Sequence, residues 1–123
     1  MFDPNYVLLY VANVPTSAAF YAELLGREPV ESQSTFALFV LSSGLKLGLW
    51  LKSNVEPAAL TPNGGTELAF TEPDAQAVHS RYEAWTKRGL AIAQAPTELD
   101  FGLTFVALDP DGHRLRVFTP STH

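Results

Sequence analysis

Four stretches of the chain alternate between apolar residues and residues of mixed character, with the period of two that is typical of half-buried strands. In the second stretch every odd position is leucine, whereas the even positions are Lys46, Gly48 and Trp50. The leucine side is predicted to pack on a helix, since burying a leucine contributes about 1.5–3 kcal/mol. The even side is then predicted to line the opposite face of the sheet. The four stretches are residues 6–11, 45–51, 66–70 and 114–119.

Two further stretches have the apolar spacing of helices and end in glycine. The first opens with Pro-Thr-Ser at residues 15–17 and is predicted to stop at Gly26. The second has acidic residues at its start, Lys87 and Arg88 in its last turn, and Gly89 as its terminator, which matches the charges of the helix dipole. Additional strands are predicted at residues 36–41, 91–95 and 103–108.

The order of strand, helix and two or three strands occurs twice, which indicates an internal duplication. The first module is predicted to span residues 5–52 and the second residues 66–120. Residues 53–65 are rich in Pro, Asn and Gly and lack periodicity, so they are predicted to be a linker. Residues 1–123 together are expected to form a single domain.

The second face of the predicted sheet has four aromatic residues, two small residues and a few charges. A solvent-exposed face would be rich in Lys, Glu, Thr and Ser, whereas this mixture is typical of a ligand cleft with apolar walls and a few polar anchors. The same face could instead pack on a second subunit, and both interpretations hold if the cleft is shared between subunits. Its members are Tyr6, Leu8, Tyr10, Lys46, Gly48, Trp50, Glu67, Ala69, Arg114, Arg116 and Phe118.

The composition excludes several classes of protein. With 46% hydrophobic and 17% charged residues, the chain is globular rather than disordered. Its net charge of -5, without a basic run, excludes nucleic acid as the expected partner. The absence of cysteine excludes disulfides, thiolate metal sites and a cysteine nucleophile, and it fits the cytoplasm, where we expect the protein to be. The N-terminal segment is predicted to be neither a signal peptide nor a membrane span, so no membrane partner is expected.

The duplicated pattern, the opening YVLLYVANVPTSAAFY and the ending FVALDPDGHRLRVF resemble the vicinal oxygen chelate superfamily, which includes glyoxalase I, extradiol dioxygenases and bleomycin resistance proteins. Within it, EAWTKRG and FGLTFVALDPDGHRLRVF are similar to the phenazine antibiotic resistance proteins, which bind the antibiotic without metal. The resemblance implies an α+β fold, the glyoxalase/bleomycin resistance fold. In that fold, two βαβββ modules form a cup-shaped mixed sheet with the helices outside. It also implies a homodimer.

Metal-dependent members of the superfamily carry one ligand on each of four strands, and the resemblance places these positions at Tyr6, Gly48, Glu67 and Arg116. Glycine has no side chain, and arginine is a cation without an acceptor atom, so only Glu67 suits a divalent ion. We therefore expect no catalytic metal and no cofactor. If the sheet curls as in the relatives, Glu67 and Arg116 are predicted to form an ion pair there. The alternative is that the two charges diverge into solvent.

The remaining candidate ligand-binding residues are mostly aromatic. Trp50 is the predicted stacking platform, because Gly48 beside it leaves room for a flat molecule; packing at a subunit interface is the alternative role for Trp50. Trp85 is expected in the core instead. We expect His79 and His113 to be structural or surface residues, and residues 109–112 to form a turn and not a calcium site. The ligand-binding set is predicted to be Tyr6, Tyr10, Lys46, Gly48, Trp50, Glu67, Phe101, Arg116 and Phe118.

Three hypotheses about function remain open at this point. The first is a binding protein that sequesters a small planar aromatic antibiotic of the phenazine type and thereby confers resistance, without catalytic residues. The second is an enzyme of the same superfamily, a lyase or isomerase with an unusual site, in which Glu67 is the only candidate general base. The third is a dimer that binds a protein partner and has a structural role.

Overall fold

The chain divides into two units, residues 1–62 and 63–123. Each unit has the order strand, helix, three strands, and the computed structural model describes residues 4–56, 58–59 and 66–121. In the first unit the elements are β1 (Tyr6–Val11), α1 (Val14–Leu25), β2 (Glu31–Ser32), β3 (Phe36–Val40) and β4 (Lys46–Leu51). In the second unit they are β5 (Glu67–Thr71), α2 (Ala75–Lys87), β6 (Ala91–Leu99), β7 (Gly102–Leu108) and β8 (Arg114–Pro120).

Both units form a four-stranded mixed sheet of the same topology. The strand order is β1-β4-β3-β2 in the first and β5-β8-β7-β6 in the second. In each, the first strand runs parallel to the last, and the other pairs are antiparallel. The predicted α+β fold with two βαβββ modules is therefore confirmed. Neither helix in the described part of the chain is long and apolar enough to cross a membrane.

Side-chain caps and glycines fix the ends of both helices. At the start of α1 the Asn13 side-chain oxygen accepts a hydrogen bond from the Thr16 backbone N–H at 2.9 Å, and at the start of α2 Asp74 accepts one from Ala77 at 2.8 Å. Helix α1 ends at Gly26, whose φ of 66° lies in the left-handed region that favours glycine. The predicted stop at Gly26 is confirmed.

The alternation of the strands is confirmed by burial. Leu47 and Leu49 on β4, like Leu9 and Val11 on β1, are buried in the first unit beneath α1. The even-numbered residues of these two strands lie on the opposite side of the sheet, which we call the far face of the first unit.

The core of the second unit is built around Trp85 and Phe105. Both are buried, and their rings meet edge to face at 5.5 Å. Tyr82 and Phe70 complete this cluster with edge-to-face contacts of 5.4 Å to Phe105 and 6.0 Å to Trp85. The cluster fixes α2 on one side of the sheet, so the expectation of Trp85 in the core is confirmed. The opposite side of this sheet is the far face of the second unit.

Strand β6 is longer than the pattern predicts. It continues from Ala91 to Leu99 instead of ending at residue 95, and its pairing with β7 shifts register between Gln94 and Thr97. Pro96 lies in this shift. Proline has no backbone N–H to donate to a neighbouring strand. It is tolerated here because β6 is an edge strand and because the register shift leaves no hydrogen bond to β7 for this residue to make. The predicted end at residue 95 is therefore wrong, and the strand continues through Pro96.

The turn before β8 is confirmed as a structural turn. The carboxylate of the buried Asp109 accepts hydrogen bonds from the backbone N–H groups of Asp111 and His113, both at 2.8 Å. The Gly112 N–H bonds back to the Asp109 carbonyl at 3.0 Å. This carboxylate is thus engaged by the backbone. Of the predicted linker, residues 57 and 60–65 lie outside the described residues, and a short 3-10 turn, Lys52–Asn54, follows β4.

Replacing Phe105 tests this core. Phe105→Leu removes an aromatic ring that meets two others, so we expect the free energy of unfolding to fall by about 1–3 kcal/mol. Phe101→Leu is the matched control, because Phe101 is 42% exposed. Urea unfolding followed by circular dichroism measures both. Equal losses in the two variants would contradict the proposed core.

Candidate functional site

A bidentate ion pair lies on the far face of the second unit. The Arg116 Nε donates to Glu67 Oε2 at 3.2 Å, and Nη2 donates to Oε1 at 3.0 Å. The pairing follows from the register, because Glu67 lies opposite Arg114 and Ala69 opposite Arg116, which places Glu67 and Arg116 diagonally across the neighbouring strands β5 and β8. The predicted pair is confirmed, and the two charges do not diverge into solvent.

A buried threonine contacts the remaining terminal nitrogen of the Arg116 guanidinium. Arg116 Nη1 donates to Thr104 Oγ1 at 3.2 Å, and the Thr104 hydroxyl donates to the Val117 carbonyl at 3.0 Å. A hydroxyl has one proton and two lone pairs, so it can serve both contacts at once. Arg116 is therefore fixed from two strands, β5 and β7, while its own strand lies between them.

Two phenylalanines flank the ion pair. The Arg116 guanidinium lies 5.7 Å from the centre of the Phe101 ring, a cation–π contact. Phe101 and Phe118 meet edge to face at 5.6 Å. Phe101 is 42% exposed, so this end of the far face presents an aromatic surface next to a charged group.

The electrostatics of the pair keep Glu67 ionised. The hydrogen bonds from Arg116 lower the pKa of the Glu67 carboxyl below its usual 4.5, partial burial opposes this, and the charges of Arg116 and Arg114 lower it further. Arg114 approaches Glu67 Oε1 to 3.9 Å and is half exposed. One carboxylate thus faces two guanidinium groups.

The far face of the first unit is aromatic and partly exposed. Tyr10 and Trp50 meet edge to face at 6.3 Å, and the Lys46 ammonium lies 5.2 Å from the centre of the Tyr6 ring. Tyr6 is 51% exposed. These contacts follow from the parallel pairing of β1 with β4, in which Tyr6 lies opposite Lys46 and Tyr10 opposite Trp50.

Gly48 does not leave an open space beside it, so the reason for expecting a flat ligand there is wrong. A side-chain carbon at Gly48 would lie 2.6 Å from Leu8 Cδ2 and 3.0 Å from Phe36 Cζ. The space that glycine leaves is therefore filled by Leu8 from β1 and Phe36 from β3. Gly48 allows these two apolar side chains to pack against its backbone. Whether Gly48 also contacts a ligand stays a prediction.

The residues at the four inferred ligand positions do not fit a divalent metal ion. Arg116 brings a permanent positive charge to one position and donates a hydrogen bond to each carboxylate oxygen of Glu67. Gly48 offers no side chain. At Tyr6 the ammonium of Lys46 lies over the ring, and its positive charge disfavours a metal cation nearby. Among residues 4–56, 58–59 and 66–121, no three His, Cys, Asp or Glu side chains cluster as a metal site needs.

The structure groups the predicted site residues by unit. Tyr6, Tyr10, Lys46, Gly48 and Trp50 lie on the far face of the first unit. The predicted residues of the second unit are linked by successive contacts, from Glu67 to Arg116, from Arg116 to Phe101 and from Phe101 to Phe118.

Sequence reasoning left out Thr104, Phe36 and Arg114 as site residues. The signal for Thr104 was a single polar residue within the apolar strand Gly102–Leu108. The signal for Arg114 was its position two residues before Arg116, which places both on the same face of the strand. Phe36 had no signal of its own, since its position over Gly48 depends on the pairing of β3 with β4.

Comparisons with known proteins agree with this fold. A family model described as the Glyoxalase/Bleomycin resistance protein/Dioxygenase superfamily matches residues 4–117. The chain is 32% identical to the phenazine antibiotic resistance protein EhpR of Enterobacter agglomerans over 117 residues, which cover 93% of this chain and 89% of that protein.

Two solved structures are similar over nearly the whole chain. Protein ATC0852 from Agrobacterium tumefaciens, determined by NMR in solution, is 48% identical with a TM-score of 0.90, covering 98% of this chain and 99% of that one. A glyoxalase-related enzyme from Fulvimarina pelagi has a TM-score of 0.81 at 23% identity, covering 97% and 88%. At that identity the second similarity shows the fold alone.

The ion pair predicts a pH-dependent contribution to stability. Because the pKa of folded Glu67 is lowered from 4.5, its contribution is present above that pH and is lost as the pH falls through the lowered value. Glu67 is 37% exposed, so we expect Arg116→Met to cost about 1–2 kcal/mol at neutral pH, less than for a fully buried pair.

Urea unfolding between pH 7 and pH 3 measures this, with Arg81→Met as the matched control. Arg81 pairs with Glu72 at 3.0 Å outside the site. In Arg116→Met the loss of stability on acidification should be smaller than in the wild type. A wild-type pH dependence in that variant would show that Glu67 gains nothing from Arg116.

Proposed function

The chain belongs to the glyoxalase/bleomycin resistance protein/dioxygenase superfamily, and from this premise we propose that it is a resistance protein that binds a small planar aromatic antibiotic of the phenazine type. Binding, without chemical conversion, is the proposed activity. The observation that carries the proposal is the bidentate ion pair between Arg116 and Glu67. These two residues stand at two of the four positions where the resemblance places the ligands of the metal-dependent relatives.

The similarity to a phenazine antibiotic resistance protein supports the choice of ligand class. It extends over 93% of the chain, so it includes the strands of both far faces. Flat polycyclic molecules are recognised by aromatic side chains, with about 0.5–1.5 kcal/mol per ring pair beyond the area buried. Each unit offers such side chains: Tyr10 and Trp50 in the first, Phe101 and Phe118 in the second.

The state of Glu67 argues against the enzymatic alternative. A general base works best with a pKa near the working pH and a free lone pair. In this chain Arg116 lowers the pKa of Glu67 and donates a hydrogen bond to each of its carboxylate oxygens. No observation favours a lyase or isomerase reaction at this position.

Resistance by sequestration sets a requirement on affinity and amount. Because the protein removes free drug only by holding it, the concentration of protein must match that of the drug and exceed the dissociation constant. A homodimer in the cytoplasm suits this role, and both the dimer and the location stay predictions.

Titration of the protein with phenazine-1-carboxylate tests the proposal. We expect saturable heat. A ligand on the far face of the first unit quenches Trp50, which is half-buried, whereas Trp85 is 3% exposed and should respond little. Trp50→Phe is the control: it should abolish the quenching and leave the emission of Trp85. The compound should be recovered chemically unchanged after incubation with excess protein.

Absence of both heat and fluorescence change with phenazine and its carboxylate would refute the proposed ligand class. A converted product in the recovered material would refute sequestration and favour the enzyme.

A further inference from the structure

The charges on the far face of the second unit do not cancel. Glu67 carries one negative charge, and Arg114 and Arg116 carry one positive charge each, so the cluster has a net charge of about +1 at neutral pH. The chain as a whole has a net charge of -5. A local positive charge on an acidic chain attracts an anionic group to that place.

The two arginines differ in what their guanidinium groups contact. Arg116 donates from Nε and Nη2 to Glu67 and from Nη1 to Thr104, and its side chain is 17% exposed. Arg114 reaches Glu67 only at 3.9 Å, beyond hydrogen-bond distance, and its side chain is 52% exposed. Within the described part of the chain, Arg114 therefore keeps its planar donor fork available.

We propose that Arg114 binds a carboxylate on the aromatic ligand, and that the ligand class is planar aromatic acids. The inference rests on the proposed function and deepens it. Glu67 and Arg116 neutralise one another and stay in place, whereas Arg114 supplies the anchoring cation. Residues 114, 116 and 118 alternate onto the same face of β8, so the fork lies on the side of the sheet that carries Phe118.

Glu67 has a positioning role in this arrangement. Its Oε1 accepts a hydrogen bond from Arg116 and lies 3.9 Å from Arg114 Nη1, so the Glu67 charge attracts the Arg114 guanidinium toward the pair while about half of the Arg114 side chain stays exposed. A ligand carboxylate can then form two parallel N–H···O bonds with Arg114, the geometry that guanidinium favours.

A matched pair of ligands and variants tests the proposal by isothermal titration. The ligands are phenazine and phenazine-1-carboxylate, and the readout is the ratio of their dissociation constants. Arg114→Gln should reduce the preference for the carboxylate about five- to tenfold relative to the wild type, chiefly by weakening the binding of the acid. Arg114→Lys should restore part of it, since lysine keeps the charge and loses the fork.

Two controls make the result specific. Arg81→Gln removes an exposed arginine that pairs with Glu72 in the same unit, and it should leave the ratio unchanged. Lys46→Gln removes a cation of the first unit that lies over the Tyr6 ring. If Lys46→Gln abolishes the preference and Arg114→Gln does not, the inference is overturned. Added sodium chloride should weaken the binding of the acid and leave that of phenazine nearly unchanged.

The outcomes separate this inference from the proposed function. If phenazine and its carboxylate bind with a ratio that Arg114→Gln does not alter, the role of Arg114 is wrong and the binding of planar aromatics stands. If neither compound binds the wild type, the proposed function fails with it.

Discussion

The far face of the second unit is organised by one interaction, the bidentate ion pair between Glu67 and Arg116. Two hydrogen bonds of 3.0 and 3.2 Å join strands β5 and β8, and Thr104 extends the contact to β7. The pair keeps Glu67 ionised, with one hydrogen bond from Arg116 on each oxygen, and it holds the guanidinium beside the Phe101 ring. Breaking such a pair leaves a half-buried charge without its partner, so each residue is constrained by the other.

This constraint decides which chemistry the site can support. A carboxylate that accepts both bonds of an arginine fork is a poor general base and a poor metal ligand. What remains on the far face of each unit is aromatic surface with a few cations, a composition that suits the binding role proposed above. The superfamily is shown by the family match over residues 4–117, and the binding role proposed for this member follows from how its side chains depart from the metal-dependent pattern.

Local patterns predicted the fold well, and long-range packing accounts for what they missed. Helix ends such as Gly26 and strand faces such as that of Leu47 and Leu49 depend on neighbouring residues alone, so alternation and capping suffice to find them. The continuation of β6 past residue 95 was not predicted, because the register shift around Pro96 depends on the edge position of β6 in the sheet. The space at Gly48 is filled from two other strands, and the contact of Thr104 with Arg116 depends on the register of β7 against β8; neither can be read from adjacent residues.

The central claim is that this protein captures a flat aromatic molecule where relatives hold a metal ion. The most direct test is to titrate phenazine-1-carboxylate into protein stripped with a chelator, and again after incubation with excess nickel, zinc or manganese and desalting, with the metal content measured each time. The account predicts the same affinity and stoichiometry in all samples and less than stoichiometric metal in each. Binding that requires a retained, stoichiometric ion, or that is lost when one is bound, would contradict it.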